Sequence, residues 1–152
     1  MEELKTITGN DLVQYIVIQI GEEQYGINIA YVENIVRMTH ITRVPKVASY
    51  LKGVINLRGE VVPVMSLRLK MGLEDDEITK KSRIIILKLE THGTIGIIVD
   101  EVKEVITLDS EHIEKVTAEA GATQSNFVAS VGKCGAGLIS LLDLNVVVSE
   151  NE

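Results

Sequence analysis

The sequence predicts a mainly β protein made of two small barrels, and three observations carry that prediction. Apolar, β-branched stretches are short and are bounded by Gly, Asn or charged residues, which is the pattern of strands and turns. One segment, Gly53 to Leu69, reads as strand, tight turn, strand: Val54-Ile55 and Val61 to Met65 flank the polar break Asn56-Leu57-Arg58-Gly59-Glu60. The chain also matches itself. Gly26-Ile27-x-Ile29-x-x-Val32-x-x-Ile35-Val36 aligns with Gly96-Ile97-x-Val99-x-x-Val102-x-x-Val105-Ile106 at an offset of 70 (96 minus 26). Val54–Leu67 aligns without gaps on Val131–Leu144 at an offset of 77 (131 minus 54). A shared apolar period accounts for part of such a match. The repeated order of elements, with Gly26 opposite Gly96, favours an internal duplication, and barrel closure would deal with the strand edges that short hairpins leave unpaired.

In chain order, residues 1–11 are polar and are expected to form a flexible tail ahead of a single domain over residues 12–150. Val13–Ile20 reads as a strand, with Tyr15, Val17 and Gln19 on one face and Ile16, Ile18 and Ile20 on the other. Gly21-Glu22-Glu23 turns the chain into a second strand, Gln24–Ile27. Ile29, Val32 and Val36 then fall at i, i+3 and i+7, which predicts a short amphipathic helix with Asn28 as its N-cap. Arg37–Val44 reads as extended, Pro45 as a strand end, and Val47–Lys52 as a helical turn before the hairpin. Pro63 lies inside the returning strand, which requires an edge or a bulge because proline cannot donate to a ladder. Glu74-Asp75-Asp76-Glu77 reads as a solvated acidic loop, since the alternating acids of a calcium loop are absent. Ile84–Leu89, Thr94–Val99, a second short helix and the hairpin around Gly132-Gly135-Gly137 repeat the first half. The expected subdomains are thus about 13–82 and 83–148, with exchange of strands between them allowed, and extra loop around Ala118–Asn126.

Composition narrows the function classes. In 152 residues the hydrophobic share is 45% but the aromatic share only 3%, so the core is aliphatic and a base-stacking platform is disfavoured. A formal charge of -7 disfavours nucleic acid or anionic lipid as main partner. No apolar stretch approaches the roughly 18 residues of a membrane helix, and direct membrane insertion is not expected. Cys134 is the single cysteine, which suits a reducing cytosol and reads as a small buried hydrophobe rather than a nucleophile. His40, His92 and His112 are far apart in sequence, so neither a metal site nor a catalytic one is indicated. Gly132, Gly135 and Gly137 lack the Lys-Ser/Thr and long helix that phosphate cradling needs. No cofactor is implied.

Arg58 sits at the tip of the first hairpin, where a planar five-donor side chain suits partner recognition. A solvated turn arginine is the alternative. The second copy carries Gly135 at the matching position, so a charge there is not a requirement of the repeat. Asn56-Leu57-Arg58-Gly59, preceded by Gly53-Val54 and followed by Val62-Pro63-Val64, closely resembles the signature of the CheW family, the adaptor of bacterial chemotaxis. The resemblance runs from about Val13 to Val148. It implies two pseudo-symmetric, SH3-like five-stranded barrels with a hydrophobic groove between them. It also implies a non-enzymatic cytoplasmic adaptor that couples chemoreceptor tips to the regulatory domain of the CheA histidine kinase.

By that resemblance Gly53, Asn56, Leu57, Arg58 and Gly59 are the coupling residues, and Val32 and Val36, on the short helix, are candidates for a receptor-facing groove, with core packing as the alternative. Family members commonly read Val-x-Glu-Ile in that helix, whereas this chain reads Val32-Glu33-Asn34-Ile35. The acid is displaced by one position, and Asn34 would offer only a neutral hydrogen bond. Two rivals remain at this stage: a regulatory piece of a larger signalling protein of the CheA or CheV type, and a small-molecule-binding barrel. The second would need convergent polar groups in an apolar pocket.

Overall fold

The computed structural model describes residues 12–115, 127–134 and 137–149. The expectations for the tail 1–11, for Ala118–Asn126, for Gly135 and for the Cys134 side chain lie outside the described residues. Among the described residues eleven strands form two sheets. They are β1 (Val13–Ile20), β2 (Glu23–Asn28), β3 (Val32–Arg37), β4 (Leu51–Leu57), β5 (Glu60–Ser66), β6 (Arg83–Leu89), β7 (Gly93–Val99), β8 (Glu101–Leu108), β9 (Ile113–Lys115), β10 (Val128–Cys134) and β11 (Gly137–Leu142). Among the described residues helix is confined to short turns, the longest being Leu67–Lys70 and Leu144–Val147 after the two hairpins.

The five-stranded sheet runs β3-β6-β7-β5-β4 and the six-stranded sheet β8-β1-β2-β11-β10-β9. Neither sheet comes from one half of the chain. The β1–β2 hairpin lies in the sheet of β8, β10 and β11, and the β6–β7 hairpin in that of β3, β4 and β5. Replacing each strand of the five-stranded sheet by its repeat partner gives β8-β1-β2-β11-β10, the six-stranded order without β9. Both barrels also close alike: Thr42, beyond β3, bridges Val54 of β4, and β9, beyond β8, pairs with β10 with Glu114 opposite Val131. The bulges repeat too, between Leu51 and Gly53 on β4 and between Val128 and Ser130 on β10.

Strand alternation sorts the aliphatic side chains into three clusters. Ile84 and Ile86 of β6 join Val62 and Val64 of β5 inside the five-stranded barrel. Val17, Ile139 and Leu141 fill the six-stranded one. Ile85 and Leu87, on the other face of β6, meet Ile16, Ile18 and Ile20 of β1 in a shared core between the sheets. That explains the unbroken run Ile84-Ile85-Ile86-Leu87, in which every residue is 0% exposed: both faces of the strand are buried. Each such side chain contributes about 2–3 kcal/mol relative to exposure. Gly26 and Gly96 are the small positions at which the hairpins cross their parallel neighbours. A Cβ on Gly26 would lie 2.7 Å from Leu141, and one on Gly96 2.8 Å from Ile84 and 3.4 Å from Val64, the repeat partner of Leu141.

Two expected helices are strands. Asn28 does cap, its Oδ1 accepting from the Ala30 amide at 2.9 Å, but the turn it caps is the 3-10 segment Ile29–Tyr31. Val32 is already extended, and β3 pairs with β6 from Val32 opposite Leu87 to Arg37 opposite Arg83. An eight-residue helix is too short to offset its nucleation cost, whereas β6 offers a full row of backbone partners. The second expected helix is likewise β8, paired with β1. Before β4 there is a hydrogen-bonded turn, Leu51 N donating to Ala48 O at 3.0 Å, rather than helix.

Pro63 sits in an interior strand and is tolerated by register. Its partner Val54 directs both backbone groups to Thr42 (2.8 Å each), and pairing of β5 with β7 begins only at Val64 opposite Gly96. No ladder amide is needed at that point.

Candidate functional site

The hairpin β4–β5 turns through Arg58-Gly59, with Leu57 paired to Glu60. Arg58 has φ +53° and Gly59 φ +86°, the two positive values that a two-residue type I′ turn demands. Asn56 Oδ1 accepts from the Gly59 amide at 3.2 Å and holds the loop closed. Asparagine or glycine is the usual choice at the first of these positions, and an arginine there carries about 1 kcal/mol of backbone cost. Arg58 and Gly59 are exposed, while Leu57 packs against the barrel interior as an anchor. Among the described residues nothing hydrogen-bonds or ion-pairs with the Arg58 side chain. The guanidinium is thus presented to solvent at a backbone cost that serves no contact within the described fold.

Gly53 has a different task. It is buried with φ +147°, and a Cβ there would lie 2.1 Å from the Thr42 carbonyl oxygen, so it closes the barrel. Val32 and Val36 lie on β3, not on a helix, and the bulge between Val32 and Asn34 turns them to opposite faces, Val32 opposite Leu87 and Val36 opposite Ile84. Both are half-buried, Val32 against the shared core and Val36 against the interior of the five-stranded barrel. On a strand, the one-position displacement of the acid moves it to the opposite face. Glu33 therefore points outward, while the half-buried Asn34 spends its Oδ1 on the Ile35 amide at 2.8 Å.

Features that sequence reasoning missed surround this hairpin. Leu51, Pro63 and Met65, at its base, join Tyr50, Ile95 and Val148 around a mostly apolar cleft of about 450 Å³. Its walls come from distant parts of the chain, so no local period reveals it. Lys70 lies over the Tyr50 ring at 4.1 Å and donates to the Ser149 carbonyl, joining the first hairpin to the end of the second.

Arg68 and Asp100 form a two-pronged pair, 2.9 and 2.7 Å, and Asp100 also accepts from the Gly21 amide at 2.8 Å. Burial alone would raise the Asp100 carboxyl, but the hydrogen bonds from Arg68 and Gly21 outweigh it and hold it below the usual carboxylate range. The acidic loop is not wholly solvated either. Asp75 pairs with Lys52 at 2.8 Å, and both oxygens of Asp76 are enclosed without a hydrogen bond of ordinary geometry. Burial pushes the Asp76 carboxyl up, against the opposing influence of the Ser66 hydroxyl.

Among the described residues no group of three His, Cys, Asp or Glu is placed to hold a metal ion. No helix among them is long and apolar enough to cross a membrane.

Residues 14–152 match the profile of the CheW-like domain family. The chain belongs to that family. It is 35% identical to the chemotaxis protein CheW of Bacillus subtilis, over 89% of this chain and 86% of that protein. To CheW of Klebsiella aerogenes it is 29% identical over 91% of this chain and 83% of that one. The crystal structure of the scaffolding protein TtCheW from Thermoanaerobacter tengcongensis superposes with a TM-score of 0.83 at 31% identity, covering 93% of this chain and 95% of that one. The chain is a chemotaxis scaffolding protein of the CheW kind and performs no catalysis. The hairpin thus carries two separate features, a guanidinium at its tip that is unpaired among the described residues and an apolar cleft at its base.

Proposed function

We propose that this CheW-like chain bridges the cytoplasmic tip of a chemoreceptor and the regulatory domain of a CheA-type histidine kinase. The observation that carries the reading is Arg58, exposed, without a partner among the described residues and held at positive φ. Asn56, Leu57 and Gly59 shape and anchor the turn, and Gly53 fixes the hairpin on its barrel. The guanidinium presents a rigid fork of donors suited to a partner's carboxylate or carbonyl groups. The receptor tip, a helical hairpin in this family, would lay an apolar stripe against this protein. Val32 and Val36 contribute from beneath that surface, as half-buried supports rather than free contacts. Recruitment to membrane receptors then runs through partners, with the protein itself in the cytoplasm and no part for nucleic acid. Control is geometric: the adaptor binds one arrangement of the kinase better than another and shifts its population.

The test is binding of an isolated CheA regulatory domain by calorimetry, with Arg58→Glu as the variant. The reading requires at least a tenfold loss of affinity in a variant that unfolds like the parent. Unchanged affinity would remove Arg58 from the interface.

A further inference from the structure

The duplicated fold contains its own control for which surface charges it requires. On β3 and β6, Arg37 and Arg83 are direct cross-strand partners. At the equivalent place in the other sheet Thr107 faces Gln14. The barrel therefore closes here without any charge, and like charges directly opposite one another in an antiparallel pair are unfavourable.

The loop entering β6 adds two more cations, the exposed Lys80 and Lys81. Arg37, Lys80 and Arg83 line one open depression of about 400 Å³ with Met38, Thr79 and Ser82, and Lys81 and Arg83 line the adjoining one with Glu101 and Val102. Arg83 is fixed in place, its Nη1 donating to the carbonyls of Lys80 and Ser82 at 2.8 Å each, with the rest of its fork still available. Among the described residues none of the four cations has a carboxylate within ion-pair distance. Glu101, the adjoining acid, lies 3.7 Å from Lys103 instead. This concentration of positive charge stands in a chain of net charge -7.

We propose that Arg37, Lys80, Lys81 and Arg83 form a docking site for an acidic segment of a protein partner. Its carboxylates take the two guanidinium forks and the flanking ammonium groups. The site is separate from the Arg58 hairpin and does not depend on its role. Two features favour a protein segment over a free phosphate. The depression is open, with Arg37, Thr79 and Lys80 exposed on its walls, and its buried hydroxyl, Ser82, is engaged by the Thr79 amide at 2.9 Å. Ile35, two residues before Arg37 on the same outward face of β3, is 37% exposed and offers the apolar contact that accompanies arginine in protein interfaces.

The experiment uses the full chain with fluorescent hexaglutamate as probe, hexaglutamine as control, and inorganic phosphate as competitor at matched ionic strength. Arg37→Thr copies the residue of the second barrel, and Lys80→Gln removes a charge from the loop. Hexaglutamate is expected to bind and hexaglutamine not to. Each variant weakens binding by about fivefold to tenfold, as loss of one charge-assisted contact does. Arg37→Thr should melt no lower than the parent, and hexaglutamate should raise the parent's melting temperature more than the variant's. Equal binding by parent and both variants, or none by the parent, overturns the proposal. Phosphate displacing the peptide at equal charge concentration overturns the protein-segment assignment in favour of a small anion.

Discussion

Replacing Arg58 by Asn separates what the hairpin does for the fold from what it presents to a partner. Arg58 holds φ +53° and has no hydrogen bond or ion pair with any described residue, so its backbone cost is offset by nothing in the described fold. Asparagine tolerates the left-handed region and favours type I′ turns, and the substitution should recover about 1 kcal/mol. For a domain of this size that is a rise in Tm of about 2–4 °C. Urea denaturation should show a higher midpoint at unchanged slope, since the surface exposed on unfolding is the same. The same variant should lose affinity for the CheA regulatory domain by at least tenfold, because a short neutral amide cannot replace a five-donor cation. Stability up and binding down is the signature of a residue kept for recognition. A lower midpoint would show that the guanidinium supports the fold, and the argument from backbone cost would fail.

Three further substitutions test the scaffold. Gly53→Ala should cost about 3 kcal/mol or more, because its Cβ would lie 2.1 Å from the rigid Thr42 carbonyl; a parent-like melting curve would contradict the closure described for this barrel. Asp100 has a lowered pKa in the fold, so its stabilisation is present above the unfolded value near 4 and is lost as pH falls through the lower folded one. Asp100→Asn should therefore cost about 1–3 kcal/mol at pH 7 and show a shallower decline between roughly pH 5 and 3 than the parent, read from melts across that range. Asp76 behaves oppositely: its raised pKa means that protonation favours the fold, so Asp76→Asn should raise Tm at pH 7, with the gain shrinking as the medium is acidified. A destabilised Asp76→Asn at neutral pH would show that the carboxylate is held by its neighbours rather than burdened by burial.

Much of the fold was legible because both signals behind it are local. β1 shows its alternation outright, with Ile16, Ile18 and Ile20 in the shared core and Val17 in the barrel. Gly26 and Gly96 were visible as a repeated pair, although only the structure shows that each makes room for a parallel neighbour. The error at Val32–Arg37 has a definite origin. Ile29, Val32 and Val36 satisfy the helical spacing, while the alternation that decides for a strand runs through Asn34, a polar residue on the inward face. What settles the matter is β6, nearly fifty residues away, and no window of sequence contains it. The Arg68–Asp100 pair, the apolar cleft and the enclosed Asp76 were hidden for the same reason, since each depends on segments that meet only in the folded chain. The turn at Arg58 could be read from its residues. Its positive φ could not, because arginine is an uncommon choice there.

Bridging is the central claim, and a two-step titration tests it most directly. The protein is first saturated with an isolated CheA regulatory domain, and a chemoreceptor-tip fragment is then added while the mass of the complex is followed. The account predicts a ternary complex that retains the kinase domain and that forms at least tenfold less readily with Arg58→Glu. Displacement of one partner by the other, or binding of neither by the folded protein, would contradict it.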